Sequence, residues 1–281
     1  MTHQVEQAAD RLCAEIAWYG HTLVTFSGGV DSSVVLAAAV RALGAAETAA
    51  VTAVSPSLPV AELEHARGFC AELGVVHHTV RTQELELAEY RENSPRRCYF
   101  CKSTLLDAAT RLAAAHRFAA VATGTNSSDV AGGFRPGIRA ARERGARTPL
   151  ADLGFDKATV REIARWWRLS TWDKPAAACL SSRIAYGVPV TSHRLARVER
   201  AELAARRMLG SDGVRDVRVR DLGDAVRLEV DAALVDSARV DTSLHDAIRS
   251  AGFDGVPIVV EEFRSGAMNE LLPDPACCAP P

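Results

Sequence analysis

The sequence predicts an α/β protein in which a parallel sheet carries helices on both faces, followed by a small C-terminal α+β domain. Short apolar runs suited to buried strands alternate with longer segments of helical periodicity along residues 21–167. This alternation is typical of right-handed crossovers in a parallel sheet. From about Thr191 the alternation ends, and one long helix is followed by two strand-like runs around Gly223-Asp224, which is a hairpin signal.

The individual elements follow in chain order from periodicity and from the glycines that end them. The predicted helices are 5–19, 31–43, 59–73, 157–167, 192–209 and 244–251. The predicted strands are 21–26, 48–54, 75–80, 118–123, 214–222, 225–230 and 256–261. The Gly- and Arg-rich stretch 132–147 is predicted to be a flexible basic loop above the sheet.

The change of pattern places a domain boundary near Pro189. We therefore expect one domain at residues 1–189 and a small α+β substrate-binding domain at 190–272. The proline-rich stretch 273–281 is expected to be a disordered tail.

Length and composition limit the class of protein. The chain has 281 residues, of which 48% are hydrophobic, so it can bury a full core. Its formal net charge of -2 gives no electrostatic reason to expect nucleic-acid binding. Because no apolar run approaches the length of a membrane span and no signal-peptide core is present, we expect a cytoplasmic protein that binds no membrane.

The segment 27–32 reads SGGVDS and joins the first predicted strand to the first crossover helix. Its two glycines permit close backbone approach, and the helix N-terminus favours phosphate. The segment has neither the Walker pattern nor the dinucleotide-binding GxGxxG. It resembles the SGGxDS loop of the PP-loop (adenine nucleotide alpha hydrolase-like) superfamily, whose members split ATP into AMP and pyrophosphate. A well-capped structural turn is the alternative interpretation.

Ligands of such sheets bind beyond the carboxyl ends of the strands. Ser55 and the segment 124–126 follow two other predicted strands. We therefore expect them to face the same crevice as the SGGVDS loop.

Three cysteines are candidates for a metal site. Cys98 and Cys101 form a CxxC pair at the start of a helix, where both thiolates point to the same side, and Cys179 lies in a segment of small residues. Three thiolates suit an iron-sulfur cluster with one open iron, whereas structural zinc requires a fourth ligand. A redox dithiol at the CxxC pair is the other interpretation. The vicinal Cys277 and Cys278 are interpreted as an incidental pair.

Several stretches together resemble the LarE family of ATP-dependent sulfurtransferases of nickel-pincer cofactor biosynthesis. They read SGGVDS at 27–32, RCYFCK at 97–102, NSSDVAGGFRPG at 126–137, AACLSSRIAYG at 177–187, VRVR at 217–220 and FRSGAMN at 263–269. The resemblance implies that Mg²⁺ and ATP adenylate a carboxylate of a pyridinium-3,5-dicarboxylate mononucleotide, and that sulfur then replaces the adenylate. It also implies a homohexamer that works with other nickel-pincer biosynthesis enzymes, while the sulfur donor is left open.

The family uses two sulfur strategies. Sacrificial members lack the CxxC pair and donate the sulfur of one cysteine, which becomes dehydroalanine. Alignment on Ser181-Ser182-Arg183 places that position at Ala178, one residue before Cys179. The chain therefore resembles the branch in which three cysteines hold a 4Fe-4S cluster that carries an extra sulfide, and transfer from Cys179 itself is the alternative.

The resemblance also implies roles for single residues. The residues implied to bind ATP are Ser27, Gly28, Gly29, Asp31, Ser32 and, on the adenine side, Gly124. Arg218 and Arg220 are implied to bind the substrate phosphate, since alternate residues of a strand share one face, and a solvent-facing strand edge is the alternative. The other positions implied near the substrate are Ser182, Arg183, Glu202 and Arg264. Catalytic roles are expected for Cys179, Glu202 and Lys102, and metal ligation for Cys98, Cys101 and Cys179. Asp129 lies in a matched motif whose departures weaken its assignment as a metal ligand.

Other classes remain open from the sequence. A tRNA thiolase or an amidotransferase synthetase has the same loop type, but the near-neutral charge and the lack of an RNA-binding or glutaminase module oppose these functions. An iron-sulfur or zinc redox sensor is the non-enzyme alternative, and the intact SGGVDS loop opposes it.

Overall fold

The computed structural model describes residues 2–131, 136–175, 178–210, 214–264 and 267–268. The chain divides into two compact units, the first comprising 1–84 and 98–177 and the second 85–97 and 178–281. The predicted tail 273–281, with Cys277 and Cys278, lies outside the described residues. No helix within the described ranges is long and apolar enough to cross a membrane.

The first unit contains a four-stranded parallel sheet in the order β3-β2-β1-β4, which confirms the predicted fold class. Its strands are β1 (Thr22–Thr25), β2 (Thr48–Val54), β3 (Val76–Arg81) and β4 (Ala120–Ala122). Its helices are α1 (Thr2–Ala17), α2 (Val30–Leu43), α3 (Val60–Glu72), α5 (Arg97–His116, beginning in the second unit), α6 (Ser127–Ala131), α7 (Pro136–Glu143), α8 (Pro149–Asp152) and α9 (Lys157–Trp166).

Helices cover both faces of this sheet, as predicted. Val24 of β1 belongs to a buried cluster with α1, α2 and α9. Its neighbour Leu23 points to the opposite face and packs with Ala109 and Ala113 of α5. Two buried faces explain why both central residues of β1 are apolar and why the burial of this strand does not alternate.

The prediction of a flexible basic loop at 132–147 is wrong for residues 136–143, which the structure describes as a helix. Residues Pro136–Glu143 form α7, because proline is favoured at the first position of a helix. Arginines of this region have acidic partners, with Arg139 bound to Glu143 at 2.7 Å and Arg144 to Asp107 at 2.6 Å.

The second unit contains a three-stranded sheet in the order β5-β6-β7. Its strands are β5 (Val217–Asp221), β6 (Val226–Val230) and β7 (Ile258–Glu262), and its helices are α4 (Ala88–Arg91), α10 (Ser192–Leu209), α11 (Val235–Val240) and α12 (Thr242–Ile248). The antiparallel pairing of β5 with β6 confirms the hairpin predicted at Gly223-Asp224. Strand β7 pairs parallel with β6.

The two units differ from the predicted division at Pro189, because residues 178–189 belong with 85–97 in the second unit. Asn93 explains the association. Its side-chain amide donates to the carbonyl oxygens of Ile184, Ala185 and Val188 at 3.2, 2.7 and 2.8 Å. The positive φ of Asn93, 55°, is a conformation that asparagine tolerates better than most residues.

Asp156 caps α9 and provides a first prediction. Its carboxylate accepts a hydrogen bond from the Thr159 N–H at 2.8 Å, and this bond lowers the pKa of Asp156. Asp156→Ala is expected to reduce the free energy of unfolding by about 1 kcal/mol in urea denaturation at neutral pH. Because the folded-state pKa is depressed, this contribution is present above the ordinary aspartate pKa and is lost as the pH falls through the lowered value. A difference that does not shrink with falling pH would contradict the capping role.

Candidate functional site

The SGGVDS loop forms an uncapped helix N-terminus at the carboxyl end of β1. Gly28 has a φ of 73°, in the left-handed region where glycine is favoured. Gly29 is the N-cap residue of α2, and no side chain of the described residues caps this helix. The first N–H groups of α2 are therefore available to an anion.

Three serine hydroxyls hold this loop in its conformation. The Ser32 hydroxyl donates to the Gly29 carbonyl at 3.0 Å and accepts from the Ser27 N–H at 3.3 Å. The hydroxyl oxygens of Ser27 and Ser32 lie 3.2 Å apart. Ser33 also donates to the Gly29 carbonyl, at 3.0 Å. The loop is thus folded by its own side chains.

A cavity of about 310 Å³ lies beside the loop in the first unit. This volume is at the lower end of the about 300–1,000 Å³ typical of small-molecule sites. Its lining residues include Ser27, Gly29, Asp31, Ser32, Lys102 and Gly124, all of which the sequence had suggested. Gly28, the remaining glycine of the loop, is buried and does not line the cavity. Ser55 is not among the lining residues, and its hydroxyl donates to Glu84.

Gly124 packs directly against the start of α2. A Cβ at this position would lie 2.6 Å from the Ser32 nitrogen and 2.9 Å from the Asp31 carbonyl carbon. Both are backbone atoms, which cannot move aside by changing rotamer. The close approach requires glycine, whatever ligand occupies the cavity.

Two carboxylates lie on the same side of the cavity. Asn126 donates to the Asp31 carboxylate at 2.8 Å and accepts from the Asp129 N–H at 2.9 Å. Burial raises the pKa of Asp31, and the negative charge of Asp129 raises it further. The hydrogen bond from Asn126 opposes both effects. Asp129 forms an ion pair with Lys157 at 3.3 Å. These carboxylates beside the cavity match the oxygen ligands that Mg²⁺ prefers.

Lys102 and the CxxC pair belong to the first turns of α5. Burial lowers the pKa of Lys102, and the neighbouring Cys101 partly opposes this. Cys98 is exposed and Cys101 is half-buried. In contrast, Cys70 is buried, and desolvation raises the pKa of its thiol to about 12. The CxxC thiols are therefore accessible, whereas Cys70 is a packing residue.

Cys179 lies in the second unit, immediately before a short 3-10 helix, Leu180–Arg183, and is half-buried. The Arg183 guanidinium donates to the carbonyl oxygens of Ala178 and Cys179 at 2.7 and 3.3 Å. The Ser182 hydroxyl donates to the Cys179 carbonyl at 2.7 Å, and Arg220 donates to the Ser182 carbonyl at 3.0 Å. Residues predicted to contact substrate thus hold the loop that carries Cys179.

The arginines of β5 are buried, so the alternative of a solvent-facing strand edge is excluded. Arg218 and Arg220 each have 6% relative exposure. Arg220 is paired with Glu229 at 2.7 Å, and Arg183 with Glu202 at 3.2 Å. The ion pair of Arg218 with Asp216 is longer, at 3.5 Å.

Arg218 has the most perturbed environment of these arginines. Burial lowers its pKa, and the nearby positive charge of Arg183 lowers it further. Its guanidinium also lies 5.3 Å from the centre of the Phe263 ring. Such a partly desolvated cation gains from an additional anion. Arg264 follows β7 and is exposed.

The predicted metal ligands lie in different units of the structure. Among the residues that it describes, no group of three or more His, Cys, Asp or Glu side chains is placed to hold a metal ion. Cys98 and Cys101 belong to the first unit, and Cys179 belongs to the second. The three-cysteine ligand set remains a prediction.

Two charged residues behind the loop were not predicted. The Lys174 ammonium donates to the Gly28 carbonyl at 3.1 Å and to the Glu62 carboxylate at 2.7 Å. Glu62 lies on α3, a helix without any sequence motif, and Lys174 precedes a proline in a loop. Only the folded chain brings these residues to the SGGVDS loop.

Comparisons with known proteins place these features in context. The sequence profile of the asparagine synthase family matches residues 21–117. Pyridinium-3,5-bisthiocarboxylic acid mononucleotide synthase of Lactiplantibacillus plantarum is 34% identical over 250 residues, covering 89% of this chain and 89% of the relative. An uncharacterised protein of Synechocystis sp. is 41% identical over 253 residues, covering 89% and 92%. An uncharacterised protein of Methanocaldococcus jannaschii is 24% identical over 243 residues, covering 86% and 90%.

Proposed function

The chain belongs to the LarE family, that of pyridinium-3,5-bisthiocarboxylic acid mononucleotide synthase, and we propose that it is an ATP-dependent sulfurtransferase of nickel-pincer cofactor biosynthesis. The reaction adenylates the carboxylates of pyridinium-3,5-dicarboxylate mononucleotide and converts them to thiocarboxylates. The single observation that carries the proposal is the uncapped, serine-braced N-terminus of α2 beside a cavity.

In the adenylation step, a substrate carboxylate oxygen attacks the α-phosphorus of ATP. The bond from that phosphorus to the bridging oxygen breaks, and pyrophosphate leaves with the electron pair. The loop N–H groups and the hydroxyls of Ser27 and Ser32 are suited to stabilise the charge on pyrophosphate. Asp31 and Asp129 would hold Mg²⁺, Gly124 would lie on the adenine side, and Lys102 would face the reacting phosphates from α5.

The mononucleotide phosphate of the substrate would bind at Arg218. This guanidinium is buried and has the positive charge of Arg183 nearby, so a bound anion would offset both charges. Arg220 would act with it, while its bonds to Glu229 and to the Ser182 carbonyl keep the Cys179 loop in place. Ser182, Arg183, Glu202 and Arg264 complete the proposed substrate site.

In the second step, a sulfur nucleophile attacks the acyl carbon and AMP leaves. Cys98, Cys101 and Cys179 would hold a 4Fe-4S cluster, which would supply this sulfur as an additional bound sulfide. The exposure of Cys98 and the partial exposure of Cys101 and Cys179 support this assignment.

The same proposal includes a cytoplasmic homo-oligomer, a hexamer by family resemblance, that binds neither nucleic acid nor membrane. Its partners would be the other nickel-pincer biosynthesis enzymes and a sulfur donor whose identity is open. Size-exclusion chromatography with light scattering tests the oligomeric state.

The sulfur source is tested on anaerobically purified protein. We expect iron and acid-labile sulfide, both lost in the triple variant C98A/C101A/C179A and retained in the control C13A, which changes a half-buried cysteine of α1. With ATP and the pyridinium substrate, AMP, pyrophosphate and the thiocarboxylate should form. Conversion of Cys179 to dehydroalanine in an iron-free protein would instead establish sacrificial transfer, and formation of ADP would overturn the adenylation chemistry.

A further inference from the structure

The carbonyl side of the SGGVDS loop is held by a partly buried ion pair that the adenylation chemistry does not use. Lys174 and Glu62 have side-chain exposures of only 15% and 20%. The Lys174 ammonium lies 3.1 Å from the Gly28 carbonyl oxygen and 2.7 Å from the Glu62 carboxylate.

The main chain around Lys174 is itself fixed. The Arg161 guanidinium of α9 donates to the carbonyl oxygens of Trp172 and Lys174, both at 3.2 Å. Lys174 therefore reaches Gly28 from a segment anchored to a helix of the same unit, and the Glu62 carboxylate reaches the Lys174 ammonium from α3.

Because the peptide bond is planar, holding the Gly28 carbonyl also fixes the direction of the Gly29 N–H. The Gly28 carbonyl and the Gly29 N–H belong to the same peptide unit, and in a trans peptide the two groups point in opposite directions. No cis peptide occurs in the described residues. When Lys174 holds the carbonyl at the rear of the loop, the Gly29 N–H is directed away from Lys174, and Gly29 lines the cavity.

We propose that Lys174 and Glu62 form a positioning pair that orients the Gly28-Gly29 peptide toward the pyrophosphate portion of ATP. This inference rests on the proposed ATP site. Lys174 acts through the Gly28 carbonyl without touching phosphate. Glu62 keeps the ammonium on that carbonyl and prevents it from turning into the cavity.

The role of Glu62 separates this proposal from direct phosphate binding by Lys174. If Lys174 bound phosphate itself, Glu62→Gln would remove a competing negative charge and strengthen binding. If Lys174 acts through Gly28, Glu62→Gln releases the ammonium and weakens binding. The two roles therefore predict opposite signs for one substitution.

Calorimetry of the full chain with Mg-ATP, Mg-pyrophosphate and AMP provides the test. K174Q and E62Q should each weaken Mg-ATP and Mg-pyrophosphate binding about 10-fold, the loss expected for one charge-assisted hydrogen bond. AMP affinity should be unchanged, because AMP has no pyrophosphate. K174R should retain most of the affinity. The matched control is E64Q, which breaks an exposed pair with Arg67 on the same helix and should have no effect.

Three outcomes would overturn the inference. They are tighter pyrophosphate binding by E62Q, equal loss of AMP and ATP affinity in both variants, and unchanged affinities throughout. Circular dichroism and the K174R result identify any variant that fails to fold. Failure of the unmodified chain to bind Mg-ATP would instead overturn the proposed ATP site.

Discussion

Gly124→Ala is expected to reduce AMP formation by about 100-fold or more. The added Cβ would lie 2.6 Å from the Ser32 nitrogen and 2.9 Å from the Asp31 carbonyl carbon, so the β4 loop and the start of α2 must separate. A displacement of about 1 Å in a catalytic arrangement costs about 10²-fold in rate. The measurement is AMP release from ATP in the presence of the pyridinium substrate, together with Mg-ATP affinity.

Gly68→Ala is the matched control for this substitution. Gly68 lies on the exposed side of α3, and a Cβ there meets nothing within 4 Å. Alanine is favoured over glycine in a helix, so the control should keep full activity and gain about 0.4–1 kcal/mol of stability. Full activity of Gly124→Ala would show that the close packing of these backbones is unnecessary. It would also contradict the proposal that ATP binds in this cavity.

The elements best predicted from the sequence are those with complete local signals. Strand β2 at Thr48–Val54 and helix α10 at Ser192–Leu209 have the predicted bounds. In α10, the Thr191 hydroxyl accepts from the Arg194 N–H at 3.2 Å, and Gly210 follows the last turn. Local hydrogen bonds and periodicity determine such ends, so adjacent residues suffice to predict them.

The candidate site was predictable only in its motif residues. The positions lining the cavity follow from the SGGVDS pattern and from the ends of the strands. Glu62 and Lys174 are 112 positions apart, and Asn93 contacts Ala185 over 92 positions. Periodicity and capping extend over a few residues, so neither signals these contacts. For the same reason, local sequence signals do not show that residues 178–189 belong with 85–97.

The burial of charged residues was also beyond local sequence reasoning. The alternation of VRVR at 217–220 indicates only that the two arginines share a face of the strand. Whether that face is solvated depends on partners from other segments. Glu229 of β6 supplies the carboxylate that allows Arg220 to be buried, and Asp216 pairs with Arg218.

Arg220→Met is expected to destabilise the second unit by about 3–5 kcal/mol, the cost of leaving one member of a buried ion pair alone. Arg220 binds Glu229 through two nitrogens at 3.0 and 2.7 Å, and the side-chain exposures are 8% and 1%. Within the described chain, the Oε1 atom of Glu229 has no hydrogen-bond partner, so this carboxylate depends on Arg220. Guanidinium denaturation measures the loss. Arg249→Ala, which breaks an exposed pair with Asp246, should change stability by less than about 1 kcal/mol.

The double variant R220M/E229L separates the structural contribution of this pair from its proposed function. Replacing both charges with apolar side chains removes the stranded carboxylate, and most of the lost stability should return. The bond from Arg220 to the Ser182 carbonyl is not restored, so the loop that carries Cys179 remains without that support. We therefore expect stability near that of the unmodified chain with thiocarboxylate formation still reduced, measured by mass spectrometry of the product. Recovery of both stability and thiocarboxylate formation would show that Arg220 contributes only to folding. Recovery of neither quantity would show that the burial of Glu229 is not the source of the instability.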